Sequence, residues 1–123
     1  MSDIHMDPDV VSALREMMEG GFADLLDTFL CDSQERLDQL KCAHLPSDLT
    51  LVAHSFKGSS SNMGASRLAH LCGQLEERAH KKQLADVEKL VVEISDEYQM
   101  VRRLYVAERQ RYASSESAPN GLG

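Results

Sequence analysis

Apolar residues recur three and four positions apart along most of the chain, in blocks rich in Leu, Ala, Glu, Gln, Arg and Lys. That spacing predicts helices throughout. Asp7-Pro8 reads as an N-cap followed by proline in the first turn, and Val10, Val11, Leu14 and Met18 give a short first helix a stripe ending at Gly20-Gly21. A second helix is predicted from about Phe22 to Ala43 on Phe22, Leu25, Leu26, Phe29, Leu37 and Leu40, with Cys42 near its end and Pro46 stopping it. Ser47 is expected to cap a third helix reaching about Gly64, a residue that tolerates left-handed backbone angles. After a tight turn, a fourth helix runs from about Ser66 to Lys82 with Leu68, Leu71, Cys72, Leu75 and Ala79 inward. The last, from about Leu84 to Tyr112, repeats Val87, Leu90, Ile94, Tyr98, Val101 and Tyr105 at helical spacing and is long enough to flank the whole bundle. Residues 1–6 read as a flexible N-terminus, and residues 113–123, without an apolar period, as a disordered tail.

The third helix divides into two faces. Leu49, Val52, Ala53, Phe56, Ser60 and Met63 fall on one stripe and form the buried side. His54, Lys57, Gly58 and Ser61 share the same spacing and point away from it. Imidazole is a nucleophile toward phosphorus when neutral, as most of it is near pH 7 at its reference pKa of about 6.5. A lysine one turn on disfavours the imidazolium, and once a phosphoryl group is attached its ammonium can pair with the oxygens. Glycine within a helix costs about 0.8–1 kcal/mol relative to alanine, so Gly58 on an exposed face is best explained by clearance for a partner's approach. One exposed histidine is usually a solvated residue. The poor helix-forming run Gly58-Ser59-Ser60-Ser61 inside a strong helical pattern is what lifts the site above that background.

Length and charge narrow the classes. At 123 residues and 42% apolar composition the chain is one domain with a real core. A net charge of -7 argues against nucleic acid and against an anionic membrane surface. Cys31, Cys42 and Cys72 lack paired spacing and read as small core residues in a reduced cytosol. There is no secretory signal pattern and no apolar run near 18 residues. Glu77 and His80 have the Glu-x-x-His spacing of di-iron bundles, but there is no second such motif. His70 and Cys72, two apart on a helix, point to different faces, and His5, His44 and His80 fall near helix ends or loops.

His54-Ser55-Phe56-Lys57-Gly58-Ser59-Ser60 followed by Gly64-Ala65 resembles the signature of histidine-containing phosphotransfer (HPt) domains. The resemblance implies an all-α fold, an antiparallel four-helix bundle with an additional short N-terminal helix, over about residues 7–112. It implies a carrier that accepts a phosphoryl group on His54 from a receiver-domain aspartate of a hybrid sensor kinase and passes it to the aspartate of a response regulator. By that match Lys57 stabilises the phosphoryl group, Gly58 gives room for the receiver, and Gly64 is the turn glycine. No cofactor or metal is expected on this chain, since Mg²⁺ belongs to the receiver, and no ATP-dependent kinase activity, since no ATP-binding domain or Gly-rich phosphate loop is present. The chain looks like a stand-alone, cytoplasmic, bacterial member, and its polar faces predict a monomer.

The match departs from the family at one place. Where several members carry a glutamine facing the phosphohistidine, this chain has Glu76, a poor partner for a phosphate. Either Glu76 points elsewhere, or Gln74 or Arg78 takes that role. Arg78, Lys81 and Lys82 form a small basic patch suited to steering an acidic partner, and an apolar patch including Leu51 is expected beside His54. The alternative reading is a helical adaptor that binds a signalling partner without transferring phosphate.

Overall fold

The computed structural model describes residues 3–117. Among them are five α-helices, α1 (Pro8–Met18), α2 (Phe22–Cys42), α3 (Pro46–Asn62), α4 (Ser66–His80) and α5 (Val87–Ser117), with a 3₁₀ turn at Glu19–Gly21 between the first two. The four longer helices close into a ring in which α2 packs on α3, α3 on α4, α4 on α5 and α5 back on α2, with α3 and α4 in the most extensive contact. Connections of only a few residues between α2 and α3 and between α3 and α4 force those neighbours to run antiparallel.

Each helix contributes one stripe to a single core. Phe22, Leu26, Phe29, Leu37 and Leu40 come from α2, Leu49, Ala53 and Phe56 from α3, Leu68, Leu71, Leu75 and Ala79 from α4, and Ile94, Tyr98, Val101 and Tyr105 from α5. The two core tyrosines keep their hydroxyls bonded, Tyr98 donating to the Leu30 carbonyl at 2.8 Å and Tyr105 to that of Met63 at 2.6 Å. Tyr105 thereby ties the centre of α5 to the end of the helix that carries His54.

Helix ends show where local chemistry overrides the simplest reading. Asp7 caps α1 as expected, its carboxylate accepting from the amides of Asp9 and Val10. Helix α3 does not start at a Ser47 cap. Leu45 is the N-cap and Pro46 the first helical residue, because the proline ring presets the helical φ and has no N–H to satisfy. Gly64 turns the chain between α3 and α4 at φ +83°, where a Cβ would stand 3.0 Å from that of Val10, so the turn requires glycine for its backbone and for its neighbour alike.

Three expectations change. Cys72 is buried, but Cys31 and Cys42 are exposed, because the inward stripe of α2 runs through Phe29, Ser33, Leu37 and Leu40 and leaves both cysteines off it. Residues 3–6, expected to be flexible, are tied down: the Arg67 amide donates to the Ile4 carbonyl at 2.8 Å, and His5 bonds Glu97 at 2.6 Å. Helix α5 runs past Tyr112 to Ser117, anchored by Tyr112, whose ring packs edge-on against Phe22 with centroids 5.1 Å apart. Residues 118–123 of the expected tail lie outside the described residues.

Candidate functional site

The two faces of α3 separate as their spacing requires. Leu49, Ala53, Phe56 and Ser60 are buried, and His54 stands on the opposite side with its side chain 69% exposed. One turn on, Gly58 faces open space, for a Cβ there would meet nothing within 4 Å. The Arg36 guanidinium of α2 donates to the Ser55 hydroxyl at 2.9 Å and braces α3 beside the histidine.

Helix α4 supplies the residue whose place was open. Glu76 points directly at His54, with Oε2 2.6 Å from the ring Nδ1, and its other oxygen, Oε1, is 2.6 Å from the Lys57 ammonium. Gln74 turns instead to His70 at 3.2 Å and Arg78 to Asp86 at 3.4 Å. The hydrogen bond from Lys57 holds the Glu76 carboxyl below the usual glutamate range, outweighing partial burial, and the hydrogen bond from His54 adds to it. An ionised carboxylate only accepts hydrogen bonds, so Nδ1 of the ring is the donor. In the neutral imidazole the lone pair then lies on Nε2, which has no hydrogen-bond partner among the described residues. Lys57 thus pairs with a carboxylate rather than with the ring.

Two depressions flank this centre. A polar cleft between α3 and α4 is lined by Thr50, Lys57, Gly73, Glu76, Glu77 and His80. A more apolar hollow beside α3 is lined by Gln39, Cys42, Ala43, Asp48, Leu51 and Val52, and the exposed Leu51 sits one turn before His54. That is where an apolar docking patch was expected. Lys81 is engaged with Glu77 at 2.8 Å and Arg78 with Asp86, so the basic patch is partly neutralised by its own helix ends. Among the described residues no group of three or more His, Cys, Asp or Glu side chains is placed to hold a metal, and no helix is long and apolar enough to cross a membrane.

An exposed imidazole with one nitrogen fixed and the other open, a lysine one turn away and a bare glycine beside it, all on a helical bundle, define a class: proteins that carry a phosphoryl group on histidine. The Hpt domain profile matches residues 24–104, and the chain belongs to the Hpt family. Its structure is similar to the crystal structure of histidine-containing phosphotransfer protein B (HptB) from Pseudomonas aeruginosa PAO1, with 45% sequence identity, a TM-score of 0.87, and coverage of 90% of this chain and 99% of that one. No curated protein matches the chain. The protein is a phosphorelay carrier on a helical bundle, and its partners are of the receiver-domain kind.

The sequence brought His54, Lys57 and Gly58 together on one face and set Glu76 at the position facing the histidine, but left open whether Glu76, Gln74 or Arg78 takes that role. The available signal was register: on α4, Gly73, Glu76, Glu77 and His80 share a face, and that face meets α3.

Proposed function

We propose that His54 Nε2 is the phosphoryl acceptor. The observation that supports this most strongly is the bond from His54 Nδ1 to Glu76 at 2.6 Å, which sets the tautomer and leaves Nε2 directed to solvent. In a docked complex the Nε2 lone pair attacks the phosphorus of the receiver's aspartyl phosphate. The Nε2–P bond forms as the P–O bond breaks, and the carboxylate stays on the receiver as its leaving group. The proton on Nδ1 stays on the ring, donated in its hydrogen bond to Glu76. The reverse sequence on a second receiver's aspartate discharges the carrier.

Lys57 exchanges partners during this cycle, from the Glu76 carboxylate to the incoming phosphoryl oxygens, where a cation offsets the charge. Gly58 leaves the receiver's backbone room to approach in line. The metal required is the receiver's own Mg²⁺, and this chain supplies position and charge. A carrier between such receivers works in the cytoplasm, and the polar outer faces of the bundle favour a monomer.

The test is transfer of labelled phosphate from a phosphorylated receiver domain to the wild-type protein and to His54→Gln, with acid lability identifying phosphohistidine. Label on the wild type alone is the expected result. Label on neither would replace the carrier reading with that of a helical adaptor.

A further inference from the structure

Two glycines border the site, and their surroundings differ. Gly58 opens onto space. Gly73, half-buried on the face of α4 that meets α3 beside the site, is three residues before Glu76, and a Cβ built on it would lie 3.3 Å from Cδ of Lys57, closer than ordinary van der Waals contact. No other atom is within 4 Å of that position once its own chain neighbours and nearby helix backbone are set aside. Close helix packing therefore does not explain the glycine. Nor does its backbone, since Gly64 is the described glycine with a positive φ. A helix interior disfavours glycine strongly. What its missing side chain provides is a seat for the aliphatic stem of Lys57, which crosses the floor of the cleft lined by Thr50, Gly73, Glu76 and His80 and ends 2.6 Å from Glu76 Oε1.

We propose that Gly73 is a positioning residue for phosphoryl transfer: it seats the Lys57 stem along α4 so that the ammonium can pass between Glu76 and the phosphoryl group on His54. This rests on the carrier reading above. A side chain at position 73 lifts the stem away from α4 and displaces the ammonium from both stations, and catalysis by a positioned charge is sensitive to such displacements. Residue 73 itself touches no reacting atom and acts through Lys57 alone.

The decisive experiment is a double-mutant cycle. Gly73→Ala and Gly73→Leu are made in the wild-type and Lys57→Ala backgrounds, and each protein is charged from an isolated receiver domain phosphorylated with labelled acetyl phosphate. Both the rate at saturating receiver and the receiver concentration for half-maximal rate are measured. Alanine and leucine are better helix formers than glycine, and melting curves verify the fold. Gly73→Leu is expected to slow transfer at saturation by roughly ten-fold, Gly73→Ala by less, with half-saturation little changed and no further loss in the Lys57→Ala background. The proposal is overturned by an unchanged rate in Gly73→Leu, by the same loss without Lys57, or by an effect confined to half-saturation, which would mean a clash with the receiver. A wild-type protein that takes no label would overturn the carrier reading as well, whereas charging of the wild type together with any of those three results overturns the Gly73 inference alone.

Discussion

Two histidines in this protein make the same bond in different surroundings. His5 Nδ1 stands 2.6 Å from Glu97 Oε2, as His54 Nδ1 does from Glu76 Oε2, and each carboxylate also holds a cation, Arg67 at 3.3 Å and Lys57 at 2.6 Å. Glu97 is almost closed off at 5% exposure, whereas Glu76 keeps 22%, and the rings are 39% and 69% exposed respectively. The first trio sits beneath an N-terminal strap that also bonds through its backbone, with Ile4 accepting from the Arg67 amide and the Asp7 amide donating to the Gly64 carbonyl, both at 2.8 Å. The second stands on a helix face beside a glycine with nothing near it. A histidine, a carboxylate and a cation in mutual contact are therefore not in themselves a reactive centre. Greater exposure of the ring, and open space beside it for a partner, make the difference.

The comparison can be broken most sharply by exchanging each histidine for glutamine. His54→Gln is expected to abolish phosphate acceptance and to leave stability nearly unchanged, because the position is exposed. His5→Gln should accept phosphate at the wild-type rate while losing about 1 kcal/mol of stability with its bond to Glu97. Labelled transfer and denaturant titration on the same preparations separate the two effects, and a large transfer defect in His5→Gln would remove the distinction between strap and site.

Glu97→Ala comes next in size. It removes an acceptor shared by His5 and Arg67, leaving two donors that lose a nearly buried partner. Breaking a fully buried pair costs about 3–5 kcal/mol. Here both donors keep partial contact with water, so about 2 kcal/mol is expected, read as a lower urea midpoint at constant slope. Transfer at a temperature where the variant is folded should be normal.

The third prediction concerns the open glycine. Gly58→Ala adds a methyl group into space that no described residue occupies, so helix propensity acts unopposed and stability should rise by about 0.8–1 kcal/mol. Phosphate acceptance should fall, because the methyl group occupies the receiver's approach. A thermal melt that rises while the transfer rate drops would place the cost of this glycine in function. Transfer unaffected by the methyl would mean that the receiver approaches from elsewhere.

The fold was legible wherever periodicity was strong. The inward stripe of α3 matches the buried residues, and Gly64 occupies the turn assigned to it. Misreadings cluster where one residue serves two rules. Ser47 is a good cap, but Pro46 starts the helix earlier. Cys31 and Cys42 are apolar in type, yet they lie off the inward stripe of α2. At the site, His54, Lys57 and Gly58 lie within a single helix, so spacing alone groups them. Glu76 reaches them only across the α3–α4 packing, and its charge counted against it when a phosphate was imagined without Lys57 between. His5 stayed invisible for the same reason, since its partner Glu97 lies far along the chain in α5.

The smallest expected effect probes that intervening charge. In the folded protein the Glu76 carboxyl is held below the usual glutamate range, first by Lys57 and then by His54. A carboxyl whose folded pKa is lowered contributes stability that is present above the unfolded value, about 4.3 for glutamate, and is lost as pH falls through the folded value. Glu76→Gln keeps an oxygen that can accept from Nδ1 but gives up the ion pair with Lys57. The pair lies near the surface, so its loss at pH 7 should cost under about 1 kcal/mol. The deficit should shrink below about pH 4 and vanish once both states of the wild type are protonated. Denaturant titrations of wild type and variant across that range test the point. A deficit that stays constant to pH 3 would show that Glu76 acts through shape and packing, as a buried strap residue would, and that its charge is not what distinguishes the second trio from the first.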